Sequence, residues 1–149
     1  TENAESGKIN DQQTELRLQW NSSNFLIHPI QILSWCIITS KNGQIYTGCN
    51  IENAAYTPTN CAERTAIFKA VSEGVREFDT ICIVGGKDGI LTEYTAPCGV
   101  CRQVMMEFCD PETFRIILAI DKEHYDIYTL KDLLPLGFGL RNLINSREI

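Results

Sequence analysis

The chain has 149 residues, of which 44% are hydrophobic and 21% charged, with a formal net charge of −6. That length suits one domain around one core, residues 1–149. The acidic balance argues against a nucleic-acid polymer as partner, because phosphate binding needs a broad basic face; a small neutral ligand suits it better. No apolar stretch is long enough to span a bilayer, and the polar N-terminus lacks the apolar run of a signal peptide.

In chain order, residues 1–13 are polar and expected to be frayed or disordered. Residues 35–39 are apolar and β-prone. Asn42-Gly43 is a turn signal, and residues 45–49 are again β-prone, so this stretch reads as a hairpin. Asn60 is a candidate N-cap. Ala62, Ala66, Ala70 and Val71 then share one helical face that ends near Gly74. Residues 81–84 form a short buried strand stopped by Gly85-Gly86. A second helix opens after Pro97, with Cys101, Val104, Met105 and Phe108 at helical spacing, and Pro111 ends it. Residues 114–120 are another strand. Thr129 and Asp132 open a short helix through Leu133-Leu134 that Pro135 stops. Strands alternating with helices imply a mixed sheet with helices packed on it, an α/β layered domain.

The seven cysteines are an odd number, which does not suit a secreted disulfide scaffold; they point to a reducing, cytoplasmic compartment. Cys36, Cys49, Cys82 and Cys109 lie in apolar surroundings, where a thiol behaves as a small hydrophobe. Cys61, Cys98 and Cys101 are different, because each sits at or near the start of a predicted helix. Unpaired backbone N–H groups and the positive end of the helix dipole favour a thiolate there. Cys98 and Cys101 are three residues apart, one turn, so both sulfurs share a face. Three thiolates hold Zn²⁺ and leave the fourth tetrahedral position open, the mark of a catalytic rather than a structural site. Glu63, two residues past Cys61, is near enough to act on a water there without being a ligand itself. Two other readings of the local chemistry stand beside this one. A structural zinc site would want a fourth Cys or His, and Cys109, His28 and His124 lack suitable spacing. A redox pair is the other, although no tryptophan precedes Cys98 and Cys61 heads a helix of its own.

Cys61-Ala62-Glu63, followed about 35 residues later by Pro97-Cys98-Gly99-Val100-Cys101, resembles the signature of the cytidine deaminase superfamily. A cysteine in the first position is similar to the small homotetrameric members, whereas histidine marks the dimeric and polynucleotide-acting ones. Thr47-Gly48-Cys49-Asn50-Ile51-Glu52-Asn53-Ala54-Ala55-Tyr56 and Leu133-Leu134-Pro135-Leu136-Gly137-Phe138-Gly139 extend the likeness over residues 39–139. The resemblance implies a three-layer α/β/α fold with a mixed, roughly five-stranded sheet. It implies zinc-dependent hydrolysis of cytidine or deoxycytidine to the uridine product and ammonia, in pyrimidine salvage, by a homotetramer. It implies zinc ligation by Cys61, Cys98 and Cys101, proton transfer by Glu63, and ribose recognition by Asn50 and Glu52. The backbone of Ala62 would read the pyrimidine edge, and Arg64 would hydrogen-bond the zinc thiolates. Tyr56 and Phe138 would reach a neighbouring subunit's site. The alternatives are a deaminase of a related aminopyrimidine nucleoside and a zinc-binding member without activity.

One segment departs from the family, whose members carry Ser-Pro-Tyr-Ser-x-Phe-x-Val-Gly-Ala before the hairpin. This chain has Leu26-Ile27-His28-Pro29-Ile30-Gln31-Ile32-Leu33-Ser34-Trp35-Cys36 there. Back-translated and read from the third base, the first part yields Ser-Pro-Tyr-Ser-Asn-Phe-Lys. Read from the second base, the part from Ser34 yields Val-Gly-Ala-Leu. Residues 16–38 therefore read as a frameshift product, with Trp35 where the family has glycine. The expectation is a poor fit to the fold: overpacking at Trp35 and polar groups at His28 and Gln31 that need partners if buried.

Overall fold

The computed structural model describes residues 32–87 and 90–144. The expected frayed tail, residues 16–31 of the atypical segment, and with them His28 and Gln31, lie outside the described residues. In chain order the elements are β1 (Ile32–Ser40), β2 (Ile45–Cys49), α1 (Ala62–Ser72), β3 (Phe78–Lys87), α2 (Gly99–Phe108), β4 (Arg115–Ala119), β5 (Tyr125–Thr129), α3 (Leu130–Leu133) and α4 (Leu140–Leu143).

The strands form one five-stranded sheet in the order β2-β1-β3-β4-β5. β1 pairs antiparallel with β2 and β3, β3 runs parallel to β4 through the α2 crossover, and β4 pairs antiparallel with β5. The sheet is thus mixed and the domain α/β, as the sequence implied. Central strands covered on both faces must be apolar at successive positions, and β1, β3 and β4 obey this. Cys36, Ile38, Ile81, Ile83, Ile116 and Leu118 turn to one face, where they pack with Ala62, Ala66, Ile67 and Ala70 of α1 and with Cys101 and Met105 of α2. Trp35, Ile37, Cys82, Val84, Ile117 and Ala119 form a second buried cluster on the opposite face. Both long helices described therefore lie on the same face, which brings their N-termini together.

The boundaries depart from expectation in four places. β1 begins at Ile32, so residues 32–38 of the atypical segment form a regular strand, paired with β3 throughout and with β2 from Trp35 onward. Trp35 is only 4% exposed and lies within the second cluster, so the expected misfit is not found in this part. Its alternation of side chains still matches the pleat, and strand pairing uses backbone groups that every residue but proline carries. β3 does not stop at Gly85-Gly86; these pair with Ser34 and Leu33, and the ladder carries the strand to Lys87. Cys61, not Asn60, is the N-cap of α1, and the Asn60 amide donates instead to Thr65 Oγ1 at 3.1 Å. β5 and α4 carried too little apolar periodicity to be read from sequence. β5 is an edge strand with Ile127 46% exposed, so its residues answer to one neighbour and to solvent. The cap of α3 was legible: Thr129 Oγ1 accepts from the Asp132 amide, and the Asp132 carboxylate accepts from the Thr129 amide at 2.8 Å.

Candidate zinc and catalytic site

Cys61 is the N-cap of α1 and Cys98 the N-cap of α2, and neither helix start has a side-chain cap hydrogen bond. Each helix therefore presents first-turn amides that lack intrahelical acceptors to the same small region. The sequence places cysteine where a Ser or Asp would normally cap, which leaves those amides and the dipole to favour a thiolate. Cys101, one turn into α2, is fully buried beneath the other two.

The three sulfurs converge. Cys61 Sγ lies 3.8 Å from Cys98 Sγ, and Cys98 Sγ lies 3.5 Å from Cys101 Sγ. All three fall within 4.8 Å of one another. Tetrahedral zinc with Zn–S bonds of about 2.3 Å holds its sulfurs about 3.8 Å apart, so the donor set fits that ion. Among the described residues this is the only group of three or more Cys, His, Asp or Glu side chains able to hold a metal.

The electrostatics are those of a site that shares protons closely. The Cys61 thiol is pulled down to about 5, chiefly because Cys101 donates a hydrogen bond to it, with Arg64 and Cys98 adding to the effect against burial. Cys101 is correspondingly pushed up, by holding that shared proton, by burial and by the nearby Glu63 carboxylate. Glu63 is 4% exposed, and burial raises its carboxyl above the usual range, helped by the Cys61 thiolate and opposed by its own amide, Cys101 and Arg64. A buried carboxyl beside a metal-type cluster holds its proton more firmly than one in water, the environment in which a carboxyl can act as an acid as well as a base. Arg64, on the first turn of α1, donates through Nη2 to Cys61 Sγ at 3.6 Å and to the Thr59 carbonyl at 3.2 Å. Its Nε is buried with no hydrogen-bond partner among the described residues. The guanidinium is therefore held for its charge beside the sulfurs.

Asn50 and Glu52 are brought together at the end of β2. Asn50 Nδ2 donates to Glu52 Oε1 at 2.9 Å and to the Ile32 carbonyl at 2.9 Å, while its Oδ1 accepts from the Ser34 amide at 2.9 Å. The atypical segment thus orients Asn50 through its backbone, whatever side chains it carries. Ala62, the first residue of α1, is fully buried. Tyr56 and Phe138 stand apart from this cluster at the surface, 69% and 59% exposed, and Tyr56 holds a left-handed φ of 61°.

Sequence reading missed Gly48. A Cβ built there would collide with the Ala62 carbonyl and lie 2.6 Å from the Ala66 amide nitrogen. β2 and the first turn of α1 therefore touch backbone to backbone, and the absent side chain sets how closely Cys61 and Glu63 approach the sheet. Gly48 stood inside a recognised motif, but nothing in a linear string says what a missing side chain faces. Thr59 was also missed: its carbonyl holds Arg64, and its hydroxyl accepts from the Asn53 amide at 3.1 Å.

Residues 33–117 match the family model of the cytidine and deoxycytidylate deaminase zinc-binding region. A cytidine deaminase of Sporosarcina psychrophila is 44% identical over 111 residues, covering 74% of this chain and 78% of that one. The structure resembles the cytidine deaminase of Burkholderia pseudomallei with a TM-score of 0.65 and 38% identity, covering 72% of this chain and 83% of that one. It resembles the cytidine deaminase of Mycobacterium tuberculosis with a TM-score of 0.66 and 30% identity, covering 82% and 90%.

Proposed function

Because this chain belongs to the cytidine and deoxycytidylate deaminase family, we propose that it hydrolyses cytidine or deoxycytidine to the uridine nucleoside and ammonia. The observation that carries the reading is a buried carboxyl, Glu63, beside three sulfurs at the spacing one zinc ion requires. Cys61, Cys98 and Cys101 would hold the ion. Zinc, when bound, supplies the Lewis acidity that makes water nucleophilic near neutral pH.

Water adds at C4 of the pyrimidine and the 4-amino group departs as ammonia, so protons must move from the incoming oxygen to a ring nitrogen and then to the leaving group. Glu63 is the side chain for both transfers, since it is buried beside the three sulfurs and burial raises its carboxyl above the usual range. Its exclusion from bulk water also prevents the proton from being lost to solvent. Ala62 contributes the first amide of α1, one of the donors that no intrahelical acceptor uses, to the polar edge of the base. Asn50 and Glu52, already tied to each other, offer a donor and an acceptor to a sugar hydroxyl. Arg64 offsets the negative charge that three thiolates leave on a zinc cluster. Tyr56 and Phe138, exposed in the single chain, would contact the nucleoside bound in a neighbouring subunit of a homotetramer. The setting in this reading is cytoplasmic pyrimidine salvage.

The test is the ultraviolet absorbance change on adding cytidine or deoxycytidine to zinc-loaded protein, beside a Glu63→Gln variant. The parent should consume substrate. The variant should keep its zinc and lose about 10²–10⁴ in rate, because an amide cannot carry the proton. A variant within about tenfold of the parent would remove Glu63 from the proton path. A zinc-loaded parent with no turnover of either nucleoside would overturn the proposed activity.

A further inference from the structure

Arg102 and Gln103 follow directly on Cys101. Arg102 Nε donates to the Pro97 carbonyl at 2.7 Å, immediately before Cys98, and its Nη1 donates to the Leu133 carbonyl at 2.6 Å. Gln103 Nε2 donates to the Phe138 carbonyl at 2.8 Å. Two adjacent side chains of the helix that holds two of the three sulfurs thus grip both ends of the segment 133–138. Leu133 ends α3, and Pro135 lacks the N–H and the backbone freedom to extend it, so the Leu133 carbonyl depends on a partner from elsewhere. A Cβ on Gly139 would lie 3.0 Å from Met106 Cγ, which shows how closely the segment runs along α2. Phe138 is 59% exposed, so packing among the described residues holds its side chain only in part, while its carbonyl is held directly by Gln103.

We propose that Arg102 and Gln103 are positioning residues that set the segment carrying Phe138 in register with the sulfur cluster. The inference rests on the reading that Phe138 meets the nucleoside. One helix then carries both the groups that hold the metal and the clamp on the substrate-facing loop, so in a symmetric assembly every site inherits the same spacing. The planar guanidinium matters because it directs two N–H groups at two carbonyls in a fixed fork, which a lysine ammonium at the end of a flexible stem does not reproduce. Loss of the Gln103 arm leaves the sulfurs in place and lets the loop wander, whereas loss of Arg102 also frees the Pro97 carbonyl beside Cys98. The penalty falls on how well the nucleoside is held, since displacements of an ångström in positioning groups are costly.

The test compares the zinc-loaded parent with Gln103→Met and Arg102→Lys in three readouts: zinc per chain, amide hydrogen exchange in residues 133–139, and KM and kcat for cytidine. In Gln103→Met zinc should stay at the parent level, and in both variants exchange in 133–139 should quicken while sheet amides are unchanged. KM should rise about tenfold, with kcat falling less. Unchanged exchange in 133–139 overturns the clamp. Faster exchange with KM and kcat both within about twofold of the parent overturns its role in positioning substrate. Should Arg102→Lys fail to fold, Gln103→Met, whose partner carbonyl is on an exposed loop, decides both points. A parent that does not turn over cytidine refutes the proposed activity instead, and hydrogen exchange still decides whether the clamp exists.

Discussion

Cys98 is exposed, yet its sulfur touches the neighbourhood of both of the other two. Removing it should leave two thiols on different helices with no third to complete a trigonal base. Metal analysis of Cys98→Ala should therefore show zinc falling from about one per chain to near none, with a lower melting temperature, because metal binding and folding are linked. Zinc retained at the parent level would mean that another residue serves as ligand. Gly48 makes a sharper case, since it carries no chemistry at all. Its Cα faces the Ala62 carbonyl and the Ala66 amide, both backbone atoms that cannot rotate away. Gly48→Ala must push α1 off β2, carrying Cys61 and Glu63 with it. The expected outcome is weakened zinc binding and a large loss of stability, read by metal analysis and thermal melting; parent-like behaviour in both would show that the helix start is not set by this contact.

At the scale of elements, β1 decides what the atypical segment does. Its two-residue alternation sends Cys36 and Ile38 to the helix-covered face and Trp35 and Ile37 to the other. Trp35 packs among Ile37, Cys82, Val84, Ile117 and Ala119 and is almost fully enclosed. Trp35→Gly should therefore destabilise the chain by about 3–5 kcal/mol or more, through the cavity left behind and the looser backbone of glycine in a strand. That is the reverse of what a simple overpacking argument expects. A rise in melting temperature on this single substitution would restore the overpacking view. Replacing the whole segment 27–36 by the family-like sequence is a different experiment, since it also changes residues outside those described. At the starts of α1 and α2 cysteine takes the capping position and gives up a side-chain cap, which leaves both sulfurs free for the proposed metal.

At the scale of the molecule, Tyr56, Leu136, Phe138 and Leu143 are large apolar side chains more than half exposed. Three of these, Tyr56, Leu136 and Phe138, lie on the loops proposed to reach a neighbour. Light scattering should give a mass four times that of one chain, and a monomer with full deaminase activity would contradict the shared site. The sequence alone singled out Cys61, Cys98, Cys101 and Glu63, because residue type, helix-start position and one-turn spacing are local properties of the string, while that local chemistry left a catalytic zinc, a structural zinc and a redox pair side by side. It also determined the mixed α/β character, since the periodicities of buried strands and amphipathic helices are written in consecutive residues. Tertiary structure decided what depends on distance through space. It brought the N-termini of α1 and α2 to within a sulfur–sulfur contact, placed a helix backbone against Gly48 where a Cβ would collide, and ran Arg102 and Gln103 out to residues 133 and 138. It also absorbed Trp35 into a strand that sequence comparison marked as foreign, because backbone pairing and alternating burial ask only for a compatible pattern and not for the original residues.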